Sequence, residues 1–310
     1  AQRGGGAGGP AASADRVGEW DRVVEDVLAL WPSGSPRAVL CFAGGALAGA
    51  APHVAYGRLL RQLAARGFLV LAVSYSTDLD YVAVADFVEL RFERAIGALG
   101  LFGLPVWGLG HSLGALAQVL ASSRHPVSYR QGQILIAYTR RGDEALPVVR
   151  AALRANPLLG PLLRALDVPA ASDLLMQGSK FAERALRAAG VSGPVQDLLP
   201  VAKQLLPLLK EVGADGEDFR PSADRLLSAI RSGYRERRTL LLRLAEDSLD
   251  ESAGLAAALA SLPGDRRAEL DLRVVPGRHL LPLLPDLGDD PAATAGAAAA
   301  LMLPEMRAGG

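Results

Sequence analysis

Apolar and polar positions divide the chain into short, continuous apolar runs and longer stretches with helical spacing. The apolar runs have the length of strands, as in Phe68–Tyr75, which reads FLVLAVSY. The longer stretches repeat apolar residues every three to four positions, as in Tyr81–Leu99. Strands that are covered on both faces are apolar throughout, so this pattern predicts a parallel sheet with helices on both sides.

The predicted elements follow one another in the order β-α-β-α-β-α-β before residue 140. The predicted strands are Arg37–Ala43, Phe68–Tyr75, Pro105–Leu109 and Gln133–Tyr138. The predicted helices are Val54–Ala65, Tyr81–Leu99 and Ala115–Ser122. Two later strands are predicted at Thr239–Leu244 and Leu270–Val275. This order indicates an α/β fold with a doubly wound, mostly parallel sheet.

The segment between the two groups of strands has a different pattern. Residues 143–236 are rich in Leu, Ala, Pro and Arg, and their prolines divide the segment into short predicted helices. We expect a core formed by residues 15–142 and 237–287, with 143–236 as a helical, lid-like insertion; a separate second domain at 143–236 is the alternative. Residues 1–14 are predicted to be a disordered tail, and residues 288–310 an Ala/Gly-rich tail.

Composition narrows the classes of partner. The 310-residue chain is 50% hydrophobic and has 33 basic and 33 acidic residues, so its balanced charge predicts no nucleic-acid partner. Two uncharged stretches, 38–57 and 95–123, are long enough to cross a bilayer. Both are interrupted by glycine, proline and histidine, so we expect buried strands and helices there and no membrane span.

Cysteine and histidine content argues against disulfides and metals. Cys41 is the only cysteine, which excludes an intrachain disulfide and a zinc cysteine set. It lies in an apolar run, which favours an inert buried thiol. None of the four histidines has H-E-x-x-H spacing. We therefore expect no metal and no cofactor.

One motif carries a specific chemistry. Residues 110–114, Gly110-His111-Ser112-Leu113-Gly114, match G-x-S-x-G between a predicted strand and a predicted helix. A serine nucleophile elbow requires this strand-turn-helix context, and its small residues allow the sharp turn. The pattern therefore predicts Ser112 as a nucleophile, with Gly110, His111 and Gly114 completing the elbow. A tight turn that only solves a packing problem is the alternative.

A serine nucleophile needs a histidine base and an orienting carboxylate, which follow the serine in this order of elements. His279 comes directly after the last predicted strand, whereas His125 precedes a proline in a surface-loop setting. We predict His279 as the base. The preceding strand is followed by Glu246, Asp247 and Asp250. Asp247 is the predicted acid, and Asp250 is the alternate. The alternative interpretation is that these acidic residues cap the next helix.

An oxyanion hole requires fixed backbone donors. The amide after the nucleophile, that of Leu113, is one predicted donor. The loop after the first core strand reads FAGGALAGAAP, and its Gly45 or Ala46 is the second predicted donor. A turn that needs glycine for a positive φ is the alternative.

The stretch from AVLCFAGGALAG through LPVWGLGHSLGA, with the later LLRLAEDSLDES and VPGRHLLP, resembles the DUF1350 family of cyanobacteria, algae and plant chloroplasts. The resemblance covers most of residues 30–140 and 237–285. It implies an α/β-hydrolase fold and a plastid location, and it supports Ser112, His279 and either Asp247 or Asp250. Ala137-Tyr138-Thr139 departs from the family, which has an Asn-containing segment there, so the resemblance implies no ligand contacts at that wall.

We expect a serine hydrolase acting on an ester or thioester of a small lipophilic acyl substrate, because the insertion is apolar. The alternative is a non-catalytic subunit with the same fold that binds or helps to assemble a larger complex, such as a photosynthetic one. In that case the chain would associate peripherally with a protein complex.

Overall fold

Eight strands of the described residues form one sheet. The computed structural model describes residues 18–125, 129–142, 220–266 and 268–283. The strands are β1 (Trp20–Val24), β2 (Val27–Leu30), β3 (Ala38–Ala43), β4 (Phe68–Val73), β5 (Val106–His111), β6 (Arg130–Ile136), β7 (Arg238–Leu244) and β8 (Glu269–Val275). Their spatial order is β1-β2-β4-β3-β5-β6-β7-β8. Strand β2 is antiparallel to β1 and β4, and all other neighbours are parallel. This confirms the predicted α/β-hydrolase fold.

Helices of the described residues cover both faces of the sheet. They are α1 (Pro52–Ala55), α2 (Gly57–Ala65), α3 (Tyr81–Leu99), α4 (Leu113–Arg124), α5 (Ala223–Gly233) and α6 (Ser252–Ala260). Side chains of strand β3 alternate between two cores, one on each face of the sheet. Cys41 packs with residues of α3 and α4, while Phe42 packs with residues of α2. A strand buried on both faces must be apolar at every position, which explains the run that predicted it.

Helix α3 has the bounds that its apolar spacing predicts, and its ends have local causes. The Asp80 side chain accepts hydrogen bonds from the amides of Val82 and Ala83, at 2.9 and 3.0 Å. Gly100 ends the helix in the left-handed conformation, with φ 63°. Both caps satisfy backbone groups that a helix terminus leaves unpaired.

The pattern of apolar residues does not predict the amino-terminal hairpin of the sheet. Strands β1 and β2 are joined by a tight turn in which Asp26 has φ 65°. Such turns usually carry glycine at a positive-φ position, and this one has none, so the usual hairpin signal is missing. An ion pair between Arg91 and Asp26, 2.9 Å long, ties the turn to α3.

The predicted helix Val54–Ala65 is divided in two. Helix α1 ends at Ala55 and α2 begins at Gly57, with Tyr56 between them at φ −113° and ψ 17°. The side chain of Tyr56 is fully buried. Apolar spacing does not reveal this break because Tyr56 occupies a core-facing position of the predicted helix.

Part of the predicted insertion lies in the described structure. Helix α5 falls inside 143–236, and its Leu226 and Ile230 are buried in the core beside α4. Residues 143–219 lie outside the described residues, as do the predicted tails 1–14 and 288–310. The division into core, insertion and tails therefore stays a prediction.

The described residues also bear on Cys41, on membranes and on metals. Cys41 is fully buried, and burial raises the pKa of its thiol to about 12. No helix in the described ranges is long and apolar enough to cross a membrane. Within the same ranges, no group of three or more His, Cys, Asp or Glu side chains could hold a metal ion.

A buried charge cluster lies at the amino ends of the central strands. The Arg130 side chain is fully buried and forms an ion pair with Glu89. Its Nη1 also lies 4.0 Å from Oε1 of Glu236, which is buried too. Burial raises the pKa of Glu236 to about 7, although Arg130 opposes this shift. Two carboxylates thus share one guanidinium in a site with little solvent.

This pKa shift predicts a pH-dependent stability. Between about pH 4.5 and 7 the folded protein retains a proton on Glu236 that the unfolded chain releases, so the contribution of Glu236 to stability falls as the pH rises. Glu236→Gln should remove about 1–3 kcal/mol of that fall, measured as the free energy of urea unfolding at pH 4.5, 6 and 8. Glu93→Gln, at an exposed position of α3, is the control and should leave the pH dependence unchanged. If the stability of Glu236→Gln had the same pH dependence as that of wild type over this interval, the prediction would be wrong.

Candidate active site

Ser112 lies in a strained turn between β5 and α4. Its φ is 54° and its ψ is −120°, a conformation that a residue with a Cβ rarely adopts. Backbone hydrogen bonds hold it there: its amide donates to the Ile136 carbonyl at 3.0 Å, and its carbonyl accepts from Ala115 at 2.9 Å. This is the backbone conformation that a nucleophile elbow requires, with the serine at the turn.

The elbow glycines are required by close backbone approach. A Cβ at Gly110 would lie 2.5 Å from the carbonyl oxygen of Gly114. A Cβ at Gly114 would overlap the carbonyl oxygens of Ala43 and Gly44, at the end of β3. Only glycine lets α4 begin this close to the neighbouring strand and loop.

The structure brings Ser112, His279 and Asp247 into one hydrogen-bonded chain. Ser112 Oγ lies 2.9 Å from Nε2 of His279. His279 Nδ1 lies 2.7 Å from Oδ2 of Asp247. The three residues are 2%, 0% and 6% exposed. A carboxylate only accepts, so Nδ1 carries a proton and Nε2 accepts from the serine hydroxyl. This is the arrangement in which a histidine can take a proton from a serine.

Asp250, the alternate acid, has a different place. Its two carboxylate oxygens accept hydrogen bonds from the amides of Leu244, at 3.1 Å, and Ser252, at 2.7 Å. Burial raises its pKa, while these hydrogen bonds oppose the shift. Asp250 therefore closes the loop between β7 and α6 that carries Asp247, and the structure brings only Asp247 to His279.

The loop that carries His279 is tied to the loop that carries Asp247. The amide of Glu246 donates to the Gly277 carbonyl at 2.9 Å, and Arg278 reaches Glu246 at 3.4 Å. Gly277 has φ 138°, which favours glycine. The other histidine considered as a base, His125, lies at the surface and binds Asp86 at 2.8 Å.

The loop after β3 lies against the elbow. A Cβ at Gly45 would be 3.2 Å from Cβ of Ser112, so this backbone borders the serine. The Gly45 amide donates to Tyr56 Oη at 2.6 Å and is therefore engaged. The amides of Ala46 and Leu113 have no acceptor among the described residues. Of the three predicted donors, these two remain available to an oxyanion.

Sequence reasoning missed the contacts of Tyr56. Its hydroxyl lies 2.9 Å from Nδ1 of His111, whose Nε2 lies 2.9 Å from the carbonyl oxygen of His279. Burial lowers the pKa of His111 to about 3, and His279 adds to the shift, so His111 is neutral. Tyr56 has the spacing of an ordinary core residue, and no sequence signal distinguishes it.

The wall formed by residues 137–139 is also built from buried residues. Ala137 has φ 48°, and its amide donates to the Leu242 carbonyl at 2.9 Å. The Tyr138 carbonyl accepts from Glu251 at 2.8 Å. These contacts join β6 to β7 and to the loop before α6. Of the predicted lid, residues 143–219 lie outside the described residues.

Comparison with protein families gives one match. The family described as "Protein of unknown function (DUF1350)" matches residues 19–178. This stretch includes the loop after β3, Tyr56 and the elbow, and it ends before Asp247 and His279. No curated protein matches the chain.

Solved structures with a similar arrangement include three hydrolases. A soluble variant of monoglyceride lipase from Saccharomyces cerevisiae is 14% identical, with a TM-score of 0.48, covering 85% of this chain and 87% of that chain. The peroxisomal α/β-hydrolase Lpx1 of the same organism is 14% identical, with a TM-score of 0.48 and coverage of 88% and 79%. A thermostable carboxyl esterase from Bacillus coagulans is 13% identical, with a TM-score of 0.41 and coverage of 81% and 85%.

The close approach at Gly114 generates a prediction. Gly114→Ala should destabilise the protein by more than about 2 kcal/mol, because its methyl group would overlap backbone atoms that cannot turn aside. Gly97→Ala, on α3, is the matched control: its Cβ would lie 3.9 Å from the nearest side-chain atom, so stability should be kept or slightly raised. Thermal unfolding of both variants measures the difference, and equal stability of the two would contradict this account of the elbow.

Proposed function

The chain belongs to the DUF1350 family of proteins of unknown function, and from the contacts of Ser112 we propose that it is a serine hydrolase. The observation that carries the proposal is the 2.9 Å contact of Ser112 Oγ with His279 Nε2, continued by the 2.7 Å contact of His279 with Asp247. These side chains come from three separate loops, and the elbow backbone is strained where the serine lies. Strain of this kind concentrates at functional sites.

The proposed reaction uses these groups in sequence. Ser112 Oγ attacks the carbonyl carbon of an ester or thioester, and its proton passes to Nε2 of His279. Asp247 stabilises the resulting imidazolium, and the amides of Ala46 and Leu113 donate to the oxyanion. The intermediate collapses, the alcohol or thiol leaves with the proton from His279, and Ser112 retains the acyl group. Water, deprotonated by His279, then releases the acid and restores the serine.

A lipophilic acyl group is the proposed substrate class. Three buried leucines support this class, because they directly follow an oxyanion-loop residue, the nucleophile and the base along the chain: Leu47, Leu113 and Leu280. The segment 143–219 is rich in Leu, Ala and Pro, which supports the same class. The plastid location that the family resemblance implies stays a prediction.

A second candidate function rests on strand β8. This edge strand exposes apolar side chains, with Val274 58% and Leu272 39% exposed. An exposed apolar strand edge favours contact with another surface. The candidate is therefore a non-catalytic subunit that binds or helps to assemble a larger complex. Two results together would favour this candidate. Wild type and Ser112→Ala would form the same complex in native extract, and Ser112 of wild type would show no reaction.

Labelling of the serine tests the hydrolase directly. A fluorophosphonate probe should label wild type, because it phosphonylates a serine activated by histidine. Ser112→Ala should show no labelling, since the nucleophilic oxygen is gone. Ser123→Ala, on the same helix but with its hydroxyl bound to the Val119 carbonyl at 2.7 Å, is the control and should label like wild type. Wild type that labels no better than Ser112→Ala would refute the proposal.

The two carboxylates should separate by role. Asp247→Asn should slow labelling or ester hydrolysis by about 10³–10⁴-fold, because the amide no longer stabilises the correct tautomer and charge of His279. Asp250→Asn should stay within about tenfold of wild type and should lose about 1 kcal/mol of stability, because its hydrogen bonds hold the loop. The reaction rates and unfolding free energies of both variants show which carboxylate acts on His279 and which only stabilises the loop. A larger loss of rate in the Asp250 variant would reverse the assignment.

A further inference from the structure

A chain of buried hydrogen bonds crosses the site behind Ser112. It begins at the Gly45 amide, passes through the Tyr56 hydroxyl and the His111 ring, and ends at the carbonyl oxygen of His279, with distances of 2.6, 2.9 and 2.9 Å. Its members come from the loop after β3, the junction of α1 and α2, the end of β5 and the loop after β8. It therefore joins the loop of the proposed oxyanion hole to the loop of the proposed base.

The chemistry of the end groups sets the direction of every bond. An amide N–H can only donate and a carbonyl can only accept. Tyr56 Oη therefore accepts from Gly45 and donates its own proton to Nδ1 of His111. The Nε2–H of His111 then donates to the His279 carbonyl. This assignment requires a protonated phenol, and burial indeed raises the pKa of Tyr56.

The same assignment leaves His111 uncharged. Both ring nitrogens are in use, one as acceptor and one as donor, which is the Nε2–H tautomer. The groups that contact the His111 ring are Tyr56 and His279, with Ser112 and Asp247 bound to His279 and Tyr75 behind Tyr56. Ring centroids of His111 and His279 are 5.1 Å apart. A positive charge on His111 would oppose the charge that His279 gains in the proposed reaction.

We propose that Tyr56 and His111 are positioning residues. Their hydrogen bonds hold the backbone of His279 against the oxyanion loop and keep the ring of His111, which lies beside that of His279, neutral. The effect on catalysis rests on the proposed function, whereas the hydrogen-bond assignment stands without it. Simple packing is the competing explanation, since the Tyr56 ring also contacts Phe42 edge to face, with centroids 4.8 Å apart. Tyr56→Phe keeps the ring and removes only the hydroxyl, so it separates the two explanations.

The first measurement is nitrogen NMR of the four histidine rings, assigned by single substitutions. In wild type, His111 should show the neutral Nε2–H tautomer throughout pH 5–8. In Tyr56→Phe, the His111 Nδ1 signal should move toward that of a nitrogen without a hydrogen bond. Tyr75→Phe is the matched control, because Tyr75 is an equally buried tyrosine whose hydroxyl binds the Gly44 carbonyl and not His111. Its His111 signals should match those of wild type.

The second measurement is the rate of ester hydrolysis or of fluorophosphonate labelling. Tyr56→Phe should lower kcat by about three- to tenfold with KM nearly unchanged, the scale of one lost hydrogen bond. A wild-type His111 that is cationic or protonated at Nδ1, or a Nδ1 signal unchanged in Tyr56→Phe, would overturn the proposal. The NMR experiment does not depend on catalytic activity. A Ser112 that does not react would refute the hydrolase proposal, and the NMR signals of His111 would still confirm or refute the hydrogen-bond assignment.

Discussion

The strained backbone at Ser112 is the constraint on which the rest of the site depends. A positive φ at a residue with a side chain costs free energy, and the surrounding structure must hold it in place. Here the amide of Ser112 bonds to β6, and the absence of side chains at Gly110 and Gly114 lets α4 begin against the end of β3. Strand order and elbow geometry therefore support each other, because the turn is possible only where β3, β5 and β6 are adjacent.

Parallel strands explain why distant residues meet at this turn. The carboxyl ends of β3, β5, β7 and β8 lie at one edge of the sheet, so the loops that follow them converge. These four loops contribute, in the same order, Gly45, Ser112, Asp247 and His279. Although 167 positions separate Ser112 from His279 in sequence, their side chains are in hydrogen-bond contact. The loops after β7 and β8 are also tied to each other, which fixes the histidine relative to the carboxylate.

The two ends of the sheet handle buried polar groups differently. At the amino ends, Arg130, Glu89 and Glu236 form a charged cluster in which one carboxylate favours its proton. At the carboxyl ends, Tyr56 and His111 form a chain of neutral groups whose members are each donor, acceptor or both. A neutral network places no permanent charge beside His279. The charge that His279 gains in the proposed reaction is therefore stabilised by Asp247 and is not opposed by a charge on His111.

Sequence alone determined the class of fold, the elbow and the order serine, acid, histidine, because these depend on local spacing and on apolar runs. It predicted α3 to its exact bounds from its periodicity and, for the site, placed His279 after the last strand. Tertiary structure alone decided which of Asp247 and Asp250 lies at His279, since both follow the same strand by a few residues. It also decided that Gly45 is engaged and that Tyr56 reaches His111, because those contacts join loops far apart in the chain, where no local pattern records them.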